Sequence, residues 1–363
     1  MKIIFTIIIV LVIAVGFVFI YQKFTDDDEV DKTIAVEEEI EADVENREEL
    51  ETPSTITGEE TEEVDLKILR TKEIMVTDGV QHSVDLKEIM SGGPPKDGIP
   101  SIDNPKFISI DEADEWLKDE EPGISFSRGD VHKFYPYQIL VWHELVNDTV
   151  DGERILVTYC PLCLSGFIFD PLVQDERVEF GTSGKLWKSN LVMYDRKTDS
   201  LWSQILGEAI VGEMTGTKLA VLPSDQIRYK NWKQVHPNGQ ILSRSTGATR
   251  FYGRSPYGDY FSVTSLALQL VGGQRDDRLP PGAFIFGIVI NDKAKAYLVE
   301  AIKDKGELED EFEGTNLLLR YEKELDVVRV FKKLSDGTLE RINPFSNFWF
   351  SWVAVHPQTE LYK

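Results

Sequence analysis

The pattern of apolar and polar positions divides the chain into three unlike stretches. Residues 3–21 are uncharged and almost wholly apolar. At about 1.5 Å rise per residue, such a run covers roughly the 30 Å hydrocarbon layer of a bilayer. Lys2 precedes it, Asp26, Asp27, Asp28 and Glu29 follow it, and Gln22-Lys23-Phe24 offers no small-residue cleavage site. The pattern predicts an uncleaved signal anchor over residues 1–24, with the remainder outside the cytoplasm. Later apolar runs, Ala283–Ile290 and Asn347–Val355, are too short to span. The expected topology is single-pass in the cell membrane.

Residues 25–64 reverse the pattern, with repeated Glu runs and few aromatics. A segment of this kind buries too little apolar surface to offset its ordering entropy, and like charges extend it. It reads as an acidic linker, with a helical stalk as the alternative.

Beyond it, over residues 65–363, short apolar or alternating runs bounded by Gly, Pro and Asp predict strands. They fall at Ile155–Tyr159, Phe167–Phe169, Phe284–Ile290, Leu317–Leu319 and Val327–Phe331. Helical patterns are scarcer: Asp111–Trp116 behind Ser109, and Ser262–Leu270. The fold class expected is α+β, rich in β and built of antiparallel sheets.

Those strands recur. A shift of 162 residues lays Asp130 over Asp292, Tyr135 over Tyr297, Asp148 over Asp310, Gly152 over Gly314, Leu156 over Leu318, Tyr159 over Tyr321 and Phe169 over Phe331. A shift of 120 lays Trp232–Pro237 over Trp352–Pro357, so the later copy lacks about 42 residues. The expectation is an internal duplication with copies at about 123–243 and 283–363. Where the first copy has Cys160-Pro161-Leu162-Cys163, the second has Glu322-Lys323-Glu324-Leu325. The cysteines are thus an addition to a shared frame.

Charge changes the picture only locally. The net charge is −24, but residues 26–64 hold 18 acidic side chains against Lys32 and Arg47. An acidic balance argues against nucleic-acid binding. Cysteine usage is more telling: Cys160 and Cys163 are the only two, which excludes a disulfide scaffold.

The pair falls between two predicted strands, with Pro161 presetting the turn. Four readings stand. A structural disulfide closing so short a loop removes only about 2 kcal/mol of unfolded-state entropy. Thiol–disulfide exchange suits a Cys-x-x-Cys pair outside the cytoplasm, although Leu164–Asp170 reads as turn and strand rather than the helix that lowers a thiol pKa. A knuckle presenting both sulfurs to zinc or copper needs further ligands, for which His143, Met193 and His356 are candidates. An inert pair is the fourth. His143-Glu144 fails as a zincin motif, because Asn147 stands where the second His belongs. His236 and His356 precede Pro in matching frames and read equally as turn residues, and Met193 as core.

Several longer motifs resemble a known family. These are Gly92–Phe107, which carries Asp97 and Asp103; Trp142–Asp148, which carries Glu144; Thr158–Cys163; Asn190–Arg196, which carries Asp195; Ser200–Gln204; and Trp349–Pro357. Together they are similar to the domain-of-unknown-function 3179 family over about residues 86–363. The resemblance implies an exported prokaryotic protein with one cohesive domain and no assigned activity. That family usually has Gly after the second cysteine, where this chain has Leu164.

Taken together, the sequence points to a membrane-anchored extracytoplasmic domain that binds zinc or copper, or exchanges electrons, at Cys160 and Cys163. Its expected partners are the membrane and an envelope or metal-handling component. A non-enzymatic envelope-binding module, using Trp187, Trp202, Trp232, Tyr252 and Tyr257, is the alternative.

Overall fold

The computed structural model describes residues 73–258 and 276–363, all within one compact unit, Val64–Lys363. The apolar run at 3–21, the acidic segment and the helix expected at 262–270 lie outside the described residues. Among the described residues, no helix is long and apolar enough to cross a membrane.

The unit is β-rich, with predominantly antiparallel sheets and a few short helices. Strands occur where the alternation placed them: Glu153–Cys160, Ser165–Asp170, Phe284–Ile290, Thr315–Glu322 and Val327–Lys333. Ser109 caps the helix Ile110–Asp114 through a capping box with Glu112, satisfying backbone donors that the first turn leaves free.

Two frames share one pairing scheme. In the first, Pro122–Arg128 lies between Asp225–Arg228 and Val131–Pro136, and Gln240–Leu242 joins Val131–Pro136 in parallel. In the second, Phe284–Ile290 lies between Phe345–Phe348 and Lys293–Leu298, and Glu360–Tyr362 joins in parallel. The registers coincide under the two shifts. Gly123 faces Pro136 as Ile285 faces Leu298, Leu156 faces Phe169 as Leu318 faces Phe331, and Asp225 faces Ser125 as Phe345 faces Gly287. Side-chain chemistry repeats too: Tyr135 donates to Asp148 Oδ2 at 2.6 Å, and Tyr297 to Asp310 Oδ2 at 2.6 Å.

The residues that only the first frame carries form most of a seven-stranded sheet. Phe180–Trp187, Asn190–Asp195, Leu201–Ser203 and Glu208–Val211 pair in series, and the strands at Met75–Thr77, Val80–His82 and Ile89–Ser91 complete it. Segment Gly92–Asp103 is clipped onto this sheet. Gly92 N–H donates to Gly184 O at 2.7 Å, Asp97 N–H to Thr182 O at 2.9 Å and Thr182 Oγ1 to Ile99 O at 2.6 Å. Gly184 has φ 69°, and a Cβ there would overlap the Pro94 carbonyl oxygen, so no larger residue fits without displacing the clip.

Apolar side chains from both frames and the added sheet form the core. Trp202, Trp232, Trp349 and Trp352 are fully buried and Trp187 nearly so, while Tyr252 and Tyr257 pack against a core cluster. Most of the aromatics that suggested a binding surface are therefore packing residues.

Candidate functional site: a buried thiol pair at the junction of the two frames

Cys160 ends the strand Glu153–Cys160 and pairs with Ser165, the first residue of the next strand. Pro161–Leu164 is the turn between them, as the alternation predicts. Cys163 N–H donates to Cys160 O at 3.2 Å. Leu164, where a glycine would be at ease, itself adopts φ 50°. Gly166, two residues on, is a paired strand residue opposite Tyr159.

Both cysteines are free thiols and both are buried. They stand at the two ends of one four-residue turn, and each influences the other's ionisation. Backbone N–H groups of Cys163 and Leu191 face the Cys160 sulfur. Around Cys163 stand the Ser189 carbonyl, at 2.9 Å from Sγ, and the side chains of Asn190 and Ser351. Asn190 is held in place by Ile205 N–H, which donates to its Oδ1 at 3.0 Å, and by its own donation to Ser165 Oγ at 3.3 Å.

Burial pushes the Cys160 thiol well above the ordinary thiol range, and its hydrogen bond with Cys163 adds to the rise. Burial also works against ionising Cys163, but the Cys160 thiol and the polar side chains around it, Asn190 among them, outweigh burial and hold that thiol below its ordinary value. Cys163 is thus the more acidic member. When neutral, it donates to Ser189 O.

One carboxyl shares this setting. Glu144 is buried. Burial, reinforced by the neighbouring Cys160, raises it to about 8. Its backbone has φ 59°, and Lys188 and Ser189 have φ 50° and 64°. With Leu164, four residues other than Gly, Asn or Asp take left-handed conformations around one turn. Each costs on the order of 1–3 kcal/mol, and such strain clusters at functional sites.

The remaining sequence candidates are engaged elsewhere. His143 Nδ1 lies 2.7 Å from Pro100 O and Nε2 2.7 Å from Tyr252 OH, so both ring nitrogens are occupied; burial also lowers its pKa. The His356 ring packs on Trp352, centroids 4.2 Å apart, as His236 packs on Trp232. Met193 is fully buried and belongs to the same core cluster as both cysteines. Asp97 accepts from Tyr194 OH at 2.6 Å, and Asp103 accepts from Asn147 Nδ2 at 2.7 Å and pairs with Arg196 at 2.9 Å. These two acids fasten the clipped segment. Asp195 accepts from Thr198 N–H at 2.6 Å and Trp202 Nε1 at 2.9 Å, closing a turn. Among the described residues, no group of three or more His, Cys, Asp and Glu could hold a metal ion.

Sequence reasoning missed Ser189, Asn190 and Ser351. They reach the thiols from the added sheet and from the second frame, and no local spacing could have linked them to the turn. Beside the turn, a cavity of about 330 Å³ runs along the seam between the frames. Leu164, Gly166 and Tyr137 line it from one frame, Val299, Val328 and Ser346 from the other.

A family model described as a protein of unknown function (DUF3179) matches residues 96–359. Neither a curated protein nor a solved structure matches the chain.

Proposed function

The chain belongs to the DUF3179 family of proteins of unknown function, and from that premise we propose that it is a dithiol–disulfide exchange protein tethered to the outer face of the cell membrane. The observation that carries this reading is the placement of both buried thiols on one four-residue turn between paired strands, Cys163 N–H donating to Cys160 O at 3.2 Å, with the buried Glu144 carboxyl, raised to about 8 by burial and by Cys160, in the same setting.

The chemistry is as follows. In the oxidised protein a substrate thiolate attacks the Cys163 sulfur. The Cys160–Cys163 bond breaks, its electron pair goes to Cys160, and Glu144, neutral at pH 7, gives that sulfur its proton. A second substrate thiol, losing its proton to the Glu144 carboxylate, attacks the substrate sulfur bound to Cys163 and expels Cys163 as a thiolate. Two substrate thiols become one disulfide, and the protein's disulfide becomes a dithiol. The reverse sequence reduces a substrate disulfide. The seam cavity, walled by Leu164 next to Cys163, supports a route for a small substrate.

Zinc asks for four ligands, of which the thiols are two. Monovalent copper accepts fewer, and Met193 in the same core cluster favours it as the second reading. We further propose that the two frames arose by duplication, that residues 3–21 anchor the chain, and that the acidic segment is a spacer.

The test equilibrates the purified protein, residues 65–363, in glutathione buffers of graded potential, then alkylates and weighs it. Loss of both thiols in one two-electron step, with only a mixed disulfide in Cys160→Ser, supports exchange. Two thiols persisting in folded protein at the most oxidising ratio contradict it. If those thiols also take up one Cu(I) that Met193→Leu releases, the copper reading replaces it.

A further inference from the structure

The seam cavity of about 330 Å³ has a wall whose charges the exchange chemistry does not use. Its apolar part repeats between the frames. Pro122 and Phe284, Tyr137 and Val299, and Gly166 and Val328 correspond under the 162 shift, and each pair lines the cavity. Gln226 and Ser346 correspond under the 120 shift and meet each other. Tyr137 OH donates to Gln226 Oε1 at 2.5 Å, and Gln226 Nε2 to Ser346 Oγ at 2.5 Å. Both donations run toward Ser346, so its hydroxyl, with the oxygen already accepting, is set to donate onward.

The charged part does not repeat. Arg329 and Arg341 line the cavity, and the corresponding strand positions of the first frame hold Phe167 and Val221. With Asp225 the two arginines form a row across the seam. Glu322 Oε2 lies 2.7 Å from Arg329 Nη1, Asp225 Oδ2 2.8 Å from Arg329 Nη2, and Asp225 Oδ1 2.5 Å from Arg341 Nη2. Glu322, at one end of the row, stands outside the cavity wall, whereas Arg341, at the other, is part of it. The remaining charges of the wall, Arg228 and Lys303 against Asp326 and Glu300, cancel. The wall thus holds one surplus guanidinium. Burial weighs against the Arg341 charge and holds its pKa below the ordinary guanidinium value.

We propose that the seam cavity binds a small amphipathic carboxylate, its hydrocarbon body between the two frames and its carboxylate on Arg341. Apolar walls with a few convergent donors are the usual make-up of a small-molecule site. Arg341 meets both Asp225 and Ser224 O through Nη2, and the planar fork of a guanidinium suits a carboxylate better than any other anchor. An anion there offsets the surplus charge that burial disfavours. The site goes beyond the exchange reading and does not depend on it.

Isothermal titration calorimetry of the protein, residues 65–363, with octanoate, octanamide and octylamine reads shape and charge separately. Octanoate should bind at a single site with a dissociation constant on the order of 0.1–1 mM. Octanamide keeps the body but lacks the charge, and should bind about tenfold more weakly. Octylamine should not bind. Arg341→Gln should weaken octanoate by about the same tenfold and leave octanamide unchanged, because Arg329 still faces Asp225. Ile342→Trp fills the cavity from a half-buried strand position and should abolish binding of both. Equal affinity of wild type for octanoate and octanamide overturns the proposal, as does the absence of octanoate binding. Undiminished octanoate affinity in either folded variant overturns it too. The ligand series on wild type decides the matter even where a variant fails to fold.

Discussion

Glu144 illustrates how much one residue's surroundings decide. An unfolded chain ionises this carboxyl near its ordinary value of 4.5, whereas burial in the folded protein keeps it protonated to about 8. The unfolded state therefore binds fewer protons between those values, and stability falls as pH rises through that window. At 1.36 kcal/mol per unit, the loss from pH 5 to 8 is on the order of 3 kcal/mol. Glu144→Gln should abolish this dependence, so that denaturant melts show the variant gaining on wild type as pH climbs from 5 to 8. A constant difference across that range contradicts the buried carboxyl. Sequence spacing made the thiols legible, because a Cys-x-x-Cys between two strands has few ways to point its sulfurs. It did not identify Glu144 as their neighbour; the contact forms because Tyr159, next to Cys160, donates its N–H to Glu144 O at 2.7 Å. Nor did it place His143, whose partners Pro100 and Tyr252 come from distant segments.

Among elements, the two frames differ where their chemistry can be compared. Lys133 and Asp148 form a buried pair with Nζ to Oδ2 at 2.8 Å, while the corresponding Lys295 and Asp310 pair at 2.6 Å is half-buried. Removing one partner of a buried pair strands the other, at about 3–5 kcal/mol. Lys133→Met should cost that much by denaturant melting, and Lys295→Met about 1–2 kcal/mol, because water reaches the stranded Asp310. Equal costs would show that burial is not what separates the arms. Strands were legible from alternation and turn residues. The helices Tyr229–Val235, Val299–Lys305 and Trp349–Val355 were not. Seven residues make only two turns, too few for a helical period to stand out. Trp349–Val355 is buried nearly all round, which erases the polar face that would mark it.

At the scale of the molecule, the thiol centre belongs to no single frame. The first supplies Cys160, Cys163 and Glu144, its added sheet Ser189 and Asn190, and the second Ser351. This explains why a comparison of the two halves of the sequence marked the cysteines as an addition without revealing what surrounds them. Deleting residues 1–24 should release the protein from the membrane fraction with the domain's melting temperature unchanged; continued membrane retention contradicts a sole anchor at that end. The most direct test of the central claim is the midpoint potential of the Cys160–Cys163 couple between pH 6 and 9, in wild type and Glu144→Gln. Loss of two protons with two electrons gives a slope of about 59 mV per pH unit. The account predicts that slope in both proteins until Cys163 ionises, and in wild type an additional bend near pH 8, where Glu144 titrates with a pKa that the Cys160 thiol raises only in the dithiol. Superimposable curves for the two proteins, or no measurable couple in either, would contradict it.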